Sequence, residues 1–347
     1  MVGQGKVFVT GATGFIGSHL VDALARQGWC VRALSRRERV DRPPGLARDE
    51  PAPLERELVE VVRGDITDPD SLLRGMEDCD RVFHLAAYAK NWAADATTYR
   101  RLNIEGMHNV FRAARRQGVE RIVWTSSIVT LGPTPPGVVG DESMPRATDR
   151  YLTKYEETKS IAEVEAGQWA ADGLPVVIVN PTRVYGPGYL TEGNALARLI
   201  DDYDRGRVPV LLNRGVNVGN YVLVNDVVQG HMLAMQRGRV GERYILGGEN
   251  VSLKEFFGTI DRVSGKRHLQ IPVLSLTPMV FAHLQKMRAE WFGVYPTITP
   301  GWVRTFLVDW AFCCDKAVRE LGYRPTRLED GIRITYRWLQ RLREERA

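Results

Sequence analysis

The stretch Gly11-Ala12-Thr13-Gly14-Phe15-Ile16-Gly17 decides the fold, because it joins the apolar run Val7–Thr10 to an amphipathic segment, Phe15–Gln27. A strand that turns sharply into a helix needs a residue free of side-chain clash at the turn. Glycine is also needed where a pyrophosphate must approach the backbone and where the helix packs close to the sheet. The helix start then offers unpaired N–H groups and a positive dipole end to phosphate. The spacing G-x-x-G-x-x-G departs from the commoner G-x-G-x-x-G, but the strand-turn-helix context is the same. Gly11, Thr13, Gly14, Phe15, Ile16 and Gly17 are therefore candidate cofactor contacts.

Outward from this turn, apolar runs alternate with amphipathic stretches, the signature of a parallel sheet wrapped by helices. Strands are predicted at Val7–Thr10, Val31–Ser35, Val59–Gly64, Arg81–Ala86, Arg121–Ser126 and Val176–Asn180, with helices at Phe15–Gln27, Pro69–Met76, Ala94–Gln117 and Arg150–Ala171. Asp41–Glu57, rich in proline and charge, reads as a mobile surface loop. After Pro181 the pattern becomes irregular, with late strands expected at Tyr221–Val228 and Tyr244–Leu246 and a capping box at Ser252–Glu255. The predicted class is α/β: a Rossmann-type doubly wound parallel sheet with a smaller, irregular α/β C-terminal substrate domain. Residues 1–180, with 221–250 returning to them, would bind the dinucleotide; 181–220 and 251–347 would form the smaller domain.

Composition narrows the function. The 347 residues carry 47 Lys+Arg and 42 Asp+Glu, a net charge of +5, with 44% hydrophobic and 26% charged residues. That is globular composition, neither disordered nor collagen-like. No uncharged apolar run reaches the ~18 residues of a membrane span. The first strand begins too near the start for a signal peptide, so a cytoplasmic location is expected. Cys30, Cys79, Cys313 and Cys314 lack metal or disulfide spacing, and no metal site is predicted. The arginines are scattered, and the runs Arg36-Arg37-Glu38-Arg39 and Arg341–Arg346 are broken by glutamate, which argues against nucleic acid. Leu274–Phe292 reads as a packed amphipathic helix in preference to a membrane-surface or lid element. Ile332–Arg346 reads as a basic helix with a solvated face.

At the end of the second strand an NAD-specific enzyme places an acid for the ribose 2′-hydroxyl. Here the sequence is Ala33-Leu34-Ser35-Arg36-Arg37. A hydroxyl and a guanidinium can accept a 2′-phosphate that a carboxylate would repel, so Ser35 and Arg36 predict NADP(H) over NAD(H). Asp65, ahead of Ile66, can reach an adenine amino group. Leu85, Ala86 and Ala87 end the fourth strand with side chains that leave room for the cofactor.

Tyr155 and Lys159, at i and i+4, share one helix face. A phenol with a pKa near ~10 is a poor acid-base group at neutral pH; a neighbouring ammonium favours its phenolate. A hydroxyl partner is available at Thr125-Ser126-Ser127. Successive side chains alternate faces, so one serine faces the site; Ser127 is chosen, with Ser126 packed or backbone-bonded. The predicted catalytic set is Ser127, Tyr155 and Lys159.

With Asn103–Gly106 and Asn180–Gly188, these segments make the chain resemble an extended short-chain dehydrogenase/reductase of the NAD-dependent epimerase/dehydratase group. Within it the chain is most similar to dihydroflavonol-reductase-like and hopanoid-associated sugar-epimerase-like proteins; the latter share Gly241–Asn250 and Lys316–Pro325. The resemblance implies the same triad. It also implies pyrophosphate binding at Gly11, Gly14 and Gly17, adenine contacts at Asp65 and Ile66, nicotinamide contacts at Pro181 and Val184, and a structural role for Asn103. A homodimer built on the helices at 94–117 and 150–171 is a further implication.

Two departures matter. Where family 4,6-dehydratases carry an acidic pair, this chain has Ile128 and Val129. Where nucleotide-sugar epimerases have an arginine-led turn, it has Val218-Gly219-Asn220-Tyr221, and two phosphate charges would lack that partner. Tyr88, Trp92, Ser127 and Tyr185 are candidate substrate contacts, and the aromatic loop Tyr88–Trp92 suggests an apolar small molecule. The favoured function is an NADPH-dependent ketone reductase acting between a carbonyl and its alcohol. The alternatives are a nucleotide-sugar epimerase that keeps its NAD(P), and a non-catalytic NADP(H) sensor.

Overall fold

The computed structural model describes residues 5–37, 40–46, 50–208, 210–274 and 276–345. Glu38 and Arg39 of the first basic run, and Arg346 of the second, lie outside them. The strands are β1 (Lys6–Thr10), β2 (Cys30–Ser35), β3 (Val59–Arg63), β4 (Arg81–His84), β5 (Arg121–Thr125), β6 (Val176–Pro181), β7 (Arg183–Tyr185), β8 (Val210–Leu212), β9 (Val218–Leu223), β10 (Arg243–Leu246), β11 (Glu249–Ser252) and β12 (Ile271–Val273). The helices are α1 (Phe15–Arg26), α2 (Pro69–Met76), α3 (Thr97–Arg100), α4 (Gly106–Arg116), α5 (Lys154–Ala171), α6 (Ala195–Asp204), α7 (Val224–Arg237), α8 (Leu253–Ser264), α9 (Leu276–Phe292), α10 (Pro300–Thr305) and α11 (Leu328–Glu344).

Seven strands form one sheet in the order β3-β2-β1-β4-β5-β6-β10, and every pairing in it is parallel. Both faces are covered, as a parallel sheet requires. Val7, Val9 and Ala33 pack under Leu20 and Leu24 of α1, while Phe8, Val82 and Ile122 pack under Met107 and Phe111 of α4. The winding reverses between β1 and β4, which opens a crevice at the carboxyl ends of those strands, where such sheets bind ligands. This is the Rossmann-type α/β fold with a smaller C-terminal domain.

That smaller part contains a three-stranded sheet, β11-β9-β7, and a two-stranded one, β12-β8. Tyr203, Phe256, Phe257 and Ile260 form its core with Ile332 and Leu339 of α11. Asn220 on β9 holds it together. Its side-chain oxygen accepts from Gly248 N–H (2.7 Å) and the Thr182 hydroxyl (2.8 Å), and its amide donates to Gly248, Asn250 and Phe312 oxygens.

Several elements differ from expectation. Tyr221–Val228 is not one strand: β9 ends at Leu223 and α7 starts at Val224, with the Asp226 carboxylate held by Thr326. α5 starts at Lys154 because Thr153, extended in backbone, caps it by accepting from Glu156 N–H (3.0 Å). β4 stops at His84, where Leu85 and Ala86 pass against Gly11. The helix expected at 94–117 contains a π-helical turn, Arg101–Glu105. The loop 41–57 is pinned at its described residues, with the Trp338 indole donating to Pro44 (3.0 Å) and Arg56 bound to Asp22. α11 buries one face, including Trp338 and Leu339, and leaves Arg337, Gln340 and Arg341 on a solvated one, as expected.

α5 carries the candidate catalytic residues, and a buried carboxylate fastens it to the sheet. Glu163 accepts from Ser126, Thr130 (2.8 Å), Asn180 (2.7 Å) and Arg243 (3.0 Å). Glu163→Ala would leave the buried Ser126 hydroxyl without its acceptor and take one partner each from Thr130 and Asn180. We expect it to lower unfolding stability in urea by about 3 kcal/mol, with Glu163→Gln losing less; an unchanged urea midpoint would contradict this role.

Candidate active site

The glycine turn fits a dinucleotide by geometry. Gly11 adopts φ +73°, and a Cβ there would stand 2.7 Å from the Ala86 backbone nitrogen; one on Gly17 would stand 2.0 Å from the Gly11 carbonyl oxygen. Glycine is thus required for the turn to pack against the end of β4 and for α1 to start directly on the turn. α1 starts at Gly14 with no side-chain cap and no acid in its first turn, so its first N–H groups remain available to phosphate.

A cleft runs from this turn along the strand ends in two adjoining lobes of about 490 and 470 Å³. The first is lined by Gly11, Thr13, Gly14, Arg36, Asp65, Ile66 and Leu85–Tyr88. Phe15, Ile16, Gly17, Ser127, Tyr155, Pro181 and Val184 line the second. Arg36 is exposed, its Nε 3.9 Å from the Asp65 carboxylate. Ser35 is placed differently from expectation. It is buried, and its hydroxyl bonds the Arg37 backbone (2.7 and 3.1 Å). Its part is to fold the turn that presents Arg36.

In the second lobe Ser127 and Tyr155 line the same wall. Burial pushes the phenol above its ordinary pKa, and the neighbouring Ser127 hydroxyl pulls against that. Lys159 is buried; its Nζ donates to the Thr125 carbonyl (2.9 Å) and lies 4.2 Å from the Trp124 ring centroid. Burial lowers its pKa to about 7, partly opposed by Glu163. The lysine is therefore drawn to a carbonyl and a ring face, and the influences on the phenol are burial and Ser127, not the expected ammonium. Ser126 turns away to Glu163, a side chain and not the backbone. Asn103, in its π-turn, ties Tyr88 N–H (2.7 Å) to the Thr158 hydroxyl (3.0 Å), fastening the 85–92 loop to α5.

Beyond Ser127 and Tyr155 lies a third pocket of about 250 Å³, bounded by Val129, Leu196, Leu199, Trp302, Phe306 and Trp310. Arg183 also lines it, with its guanidinium bonded to the Thr305 carbonyl (2.8 Å) and stacked on Phe306 at 4.4 Å. Three expected substrate contacts sit elsewhere. Tyr185 is buried in the small-domain core, its hydroxyl near the Leu328 carbonyl (3.4 Å), because alternation along β7 sends it opposite to Val184. Tyr88 lines the first cofactor lobe, with its hydroxyl on the Trp92 carbonyl (3.1 Å). Trp92 packs edge-on against Tyr295 at 5.7 Å.

Sequence reasoning missed the pocket's aromatic wall. One local signal existed: Thr299 caps α10 by accepting from Trp302 N–H (3.2 Å), with Pro300 in the first turn, and Trp302 and Phe306 follow at i and i+4. Asn180, which holds the Ser127 carbonyl (3.1 Å), was also missed, because its partners are far away in the chain.

A model of the NAD dependent epimerase/dehydratase family matches residues 7–247. A putative dihydroflavonol 4-reductase of Synechocystis is 32% identical, covering 96% of this chain and 94% of that protein. Sterol demethylase protein B of Methylococcus capsulatus is 32% identical, covering 96% and 97%. A 3 beta-hydroxysteroid dehydrogenase/Delta 5-->4-isomerase of Mycobacterium tuberculosis is 30% identical, covering 92% and 86%. Among solved structures, that of gox2253 matches with a TM-score of 0.79 and 31% identity, covering 97% and 98%. With a glycine turn, a strand-end cleft and this match over most of its length, the chain belongs to the NAD dependent epimerase/dehydratase family of extended short-chain dehydrogenases/reductases, and it is a nicotinamide-dependent oxidoreductase/epimerase.

Proposed function

We propose that the protein is an NADP(H)-dependent carbonyl reductase that interconverts an apolar ketone and its secondary alcohol, with Ser127, Tyr155 and Lys159 as its catalytic residues. The observation that carries this reading is that Ser127 and Tyr155 line both the strand-end cleft and a pocket walled by Trp302, Phe306 and Trp310. Gly11, Gly14 and Gly17 would hold the pyrophosphate, Asp65 and Ile66 the adenine, Pro181 and Val184 the nicotinamide side, and Arg36 a 2′-phosphate. The reduced nicotinamide, when bound, supplies the hydride. Ser127 holds the substrate oxygen, and Tyr155, kept protonated by burial, donates the proton to it as the alcohol forms. Lys159 holds the strand end on which Ser127 stands and can replenish the phenol.

The surroundings weigh against the other family chemistries. Ile128 is buried among Trp310 and Ile245 and Val129 lines the pocket, so neither position that carries the acidic pair in family 4,6-dehydratases is acidic here. The place of a diphosphate-clamping arginine belongs to Asn220, buried and fully bonded. For that reason an arginine placed there would break the small sheet before it could bind a sugar nucleotide. The relatives named for sterol and hydroxysteroid chemistry fit an apolar substrate.

Tyr155→Phe should reduce NADPH-linked turnover of an active ketone at least about 1,000-fold while leaving cofactor affinity within a few-fold, measured by cofactor fluorescence. Unchanged turnover would remove the phenol from the mechanism. Arg36→Ala should weaken NADPH at least about tenfold relative to NADH, the effect of one lost charge-assisted contact; equal losses would place the phosphate elsewhere. A screen of apolar ketones for NADPH consumption, run beside chromatography of nucleotide sugars, separates reductase from epimerase.

Lys159 also makes a pH prediction. Its folded pKa of about 7 lies below the ordinary lysine value of about 10.5, so between those values the unfolded chain binds more protons and stability rises with pH. The penalty for burying the ammonium is fully present below pH 7. The melting temperature of the cofactor-free wild type, relative to Lys159→Met, should therefore rise from pH 7 towards pH 10. A flat difference would contradict the shift.

A further inference from the structure

α9 is built inside out. Its buried residues are the alanines Ala282 and Ala289, while Leu276, Val280, Leu284, Met287 and Trp291 face solvent, with Leu276 73%, Leu284 57% and Trp291 71% exposed. At about 100° per residue these five fall within an arc of about 80°. Phe281 and Phe292 widen the same face, and Leu269 and Leu274, on the chain leading into the helix, are each at least 70% exposed. The expectation of a helix packed by its apolar side fails here, because small residues make the internal contact and the large ones point outward. A continuous apolar surface of this kind marks an interaction site.

We propose that α9 and the segment before it form a docking surface for the interface of an anionic lipid bilayer. Charge and residue type select that occupant. From Lys266 to Tyr295 the chain has the cations Lys266, Arg267, Lys286 and Arg288 against one acid, Glu290; Lys266 pairs with Asp204 (2.9 Å) and Lys286 with Glu290 (3.5 Å), so Arg267 and Arg288 carry the surplus positive charge. Lys286 and Arg288 lie on α9 itself, with long stems that can lie along apolar surface and carry their charge to headgroups. Trp291 and Tyr295 are of the type that settles at a membrane-water boundary. Among the described residues no helix is long and apolar enough to cross a membrane, so the helix would lie in the interface plane.

The surface is continuous with the active site. Tyr295, just past α9, packs against Trp92 and donates to Glu192 at 2.5 Å, and Glu192 lines the pocket beside Ser127 and Tyr155. An apolar substrate could pass from the lipid to the pocket with little exposure to water. This last step rests on the carbonyl-reductase reading; docking itself does not.

The test is flotation of the full chain with phosphatidylcholine vesicles containing or lacking a quarter of phosphatidylglycerol. We expect at least tenfold more bound protein with the anionic vesicles, reduced by salt, and at least a tenfold loss in the double variant Leu284→Glu/Trp291→Glu. Val240→Glu, an exposed apolar site in a distant turn, should float as wild type, and NADPH fluorescence titration of each variant reports intact folding. Binding that ignores the double variant, or no binding to anionic vesicles, would overturn the proposal. So would a lipid-free wild-type dimer that the double variant dissociates, since a second copy would then cover the face. Failure to reduce any ketone would instead overturn the carbonyl-reductase reading and leave the vesicle result standing.

Discussion

The carboxylate of Glu163 is the constraint on which the catalytic geometry depends. Spacing alone sets Tyr155 and Lys159 on one side of α5, but it does not say which strand tip that side meets. Glu163, two turns further along, joins Ser126, Thr130 and Asn180 and so fixes the helix against the ends of β5 and β6. A buried charge is tolerable because each nearby donor is matched to it. With that register set, the phenol lines the same cleft as Ser127 and the ammonium reaches the Thr125 carbonyl.

What the chain reveals by local pattern, it reveals well. The glycine turn, the i,i+4 pair and the alternating strand end are short-range signals, and the parallel character of the sheet follows from apolar runs separated by helices. Boundaries were less legible. Val222, Val224, Val227 and Val228 suit a strand, but a distant Thr326 holds Asp226 in the first turn of a helix, and tertiary contact overrides propensity there. Tyr185 is buried in the small-domain core although Val184 lines the cleft, because one step along a strand reverses the face.

The pocket was hardest to see, since its wall comes from residues more than a hundred positions past the triad. Trp302, Phe306 and Trp310 meet Val129 only after the small domain folds over the sheet. α9 failed for the opposite reason. Periodicity reports that a helix has an apolar side, but not whether that side meets protein, and here two alanines occupy the inner position.

Asn220 has a consequence for how such a protein can diversify. Its one side chain stitches β9 to the 247–250 turn and to the 310–312 segment, using acceptor and donor together. A site fully engaged in this way leaves no latitude for a longer cation, so conversion toward diphosphate-bearing ligands would require rebuilding three chain segments at once. Novelty is then easier at Trp302 and Phe306 in the aromatic wall than at Trp310, whose indole donates to the Thr305 backbone carbonyl (2.9 Å).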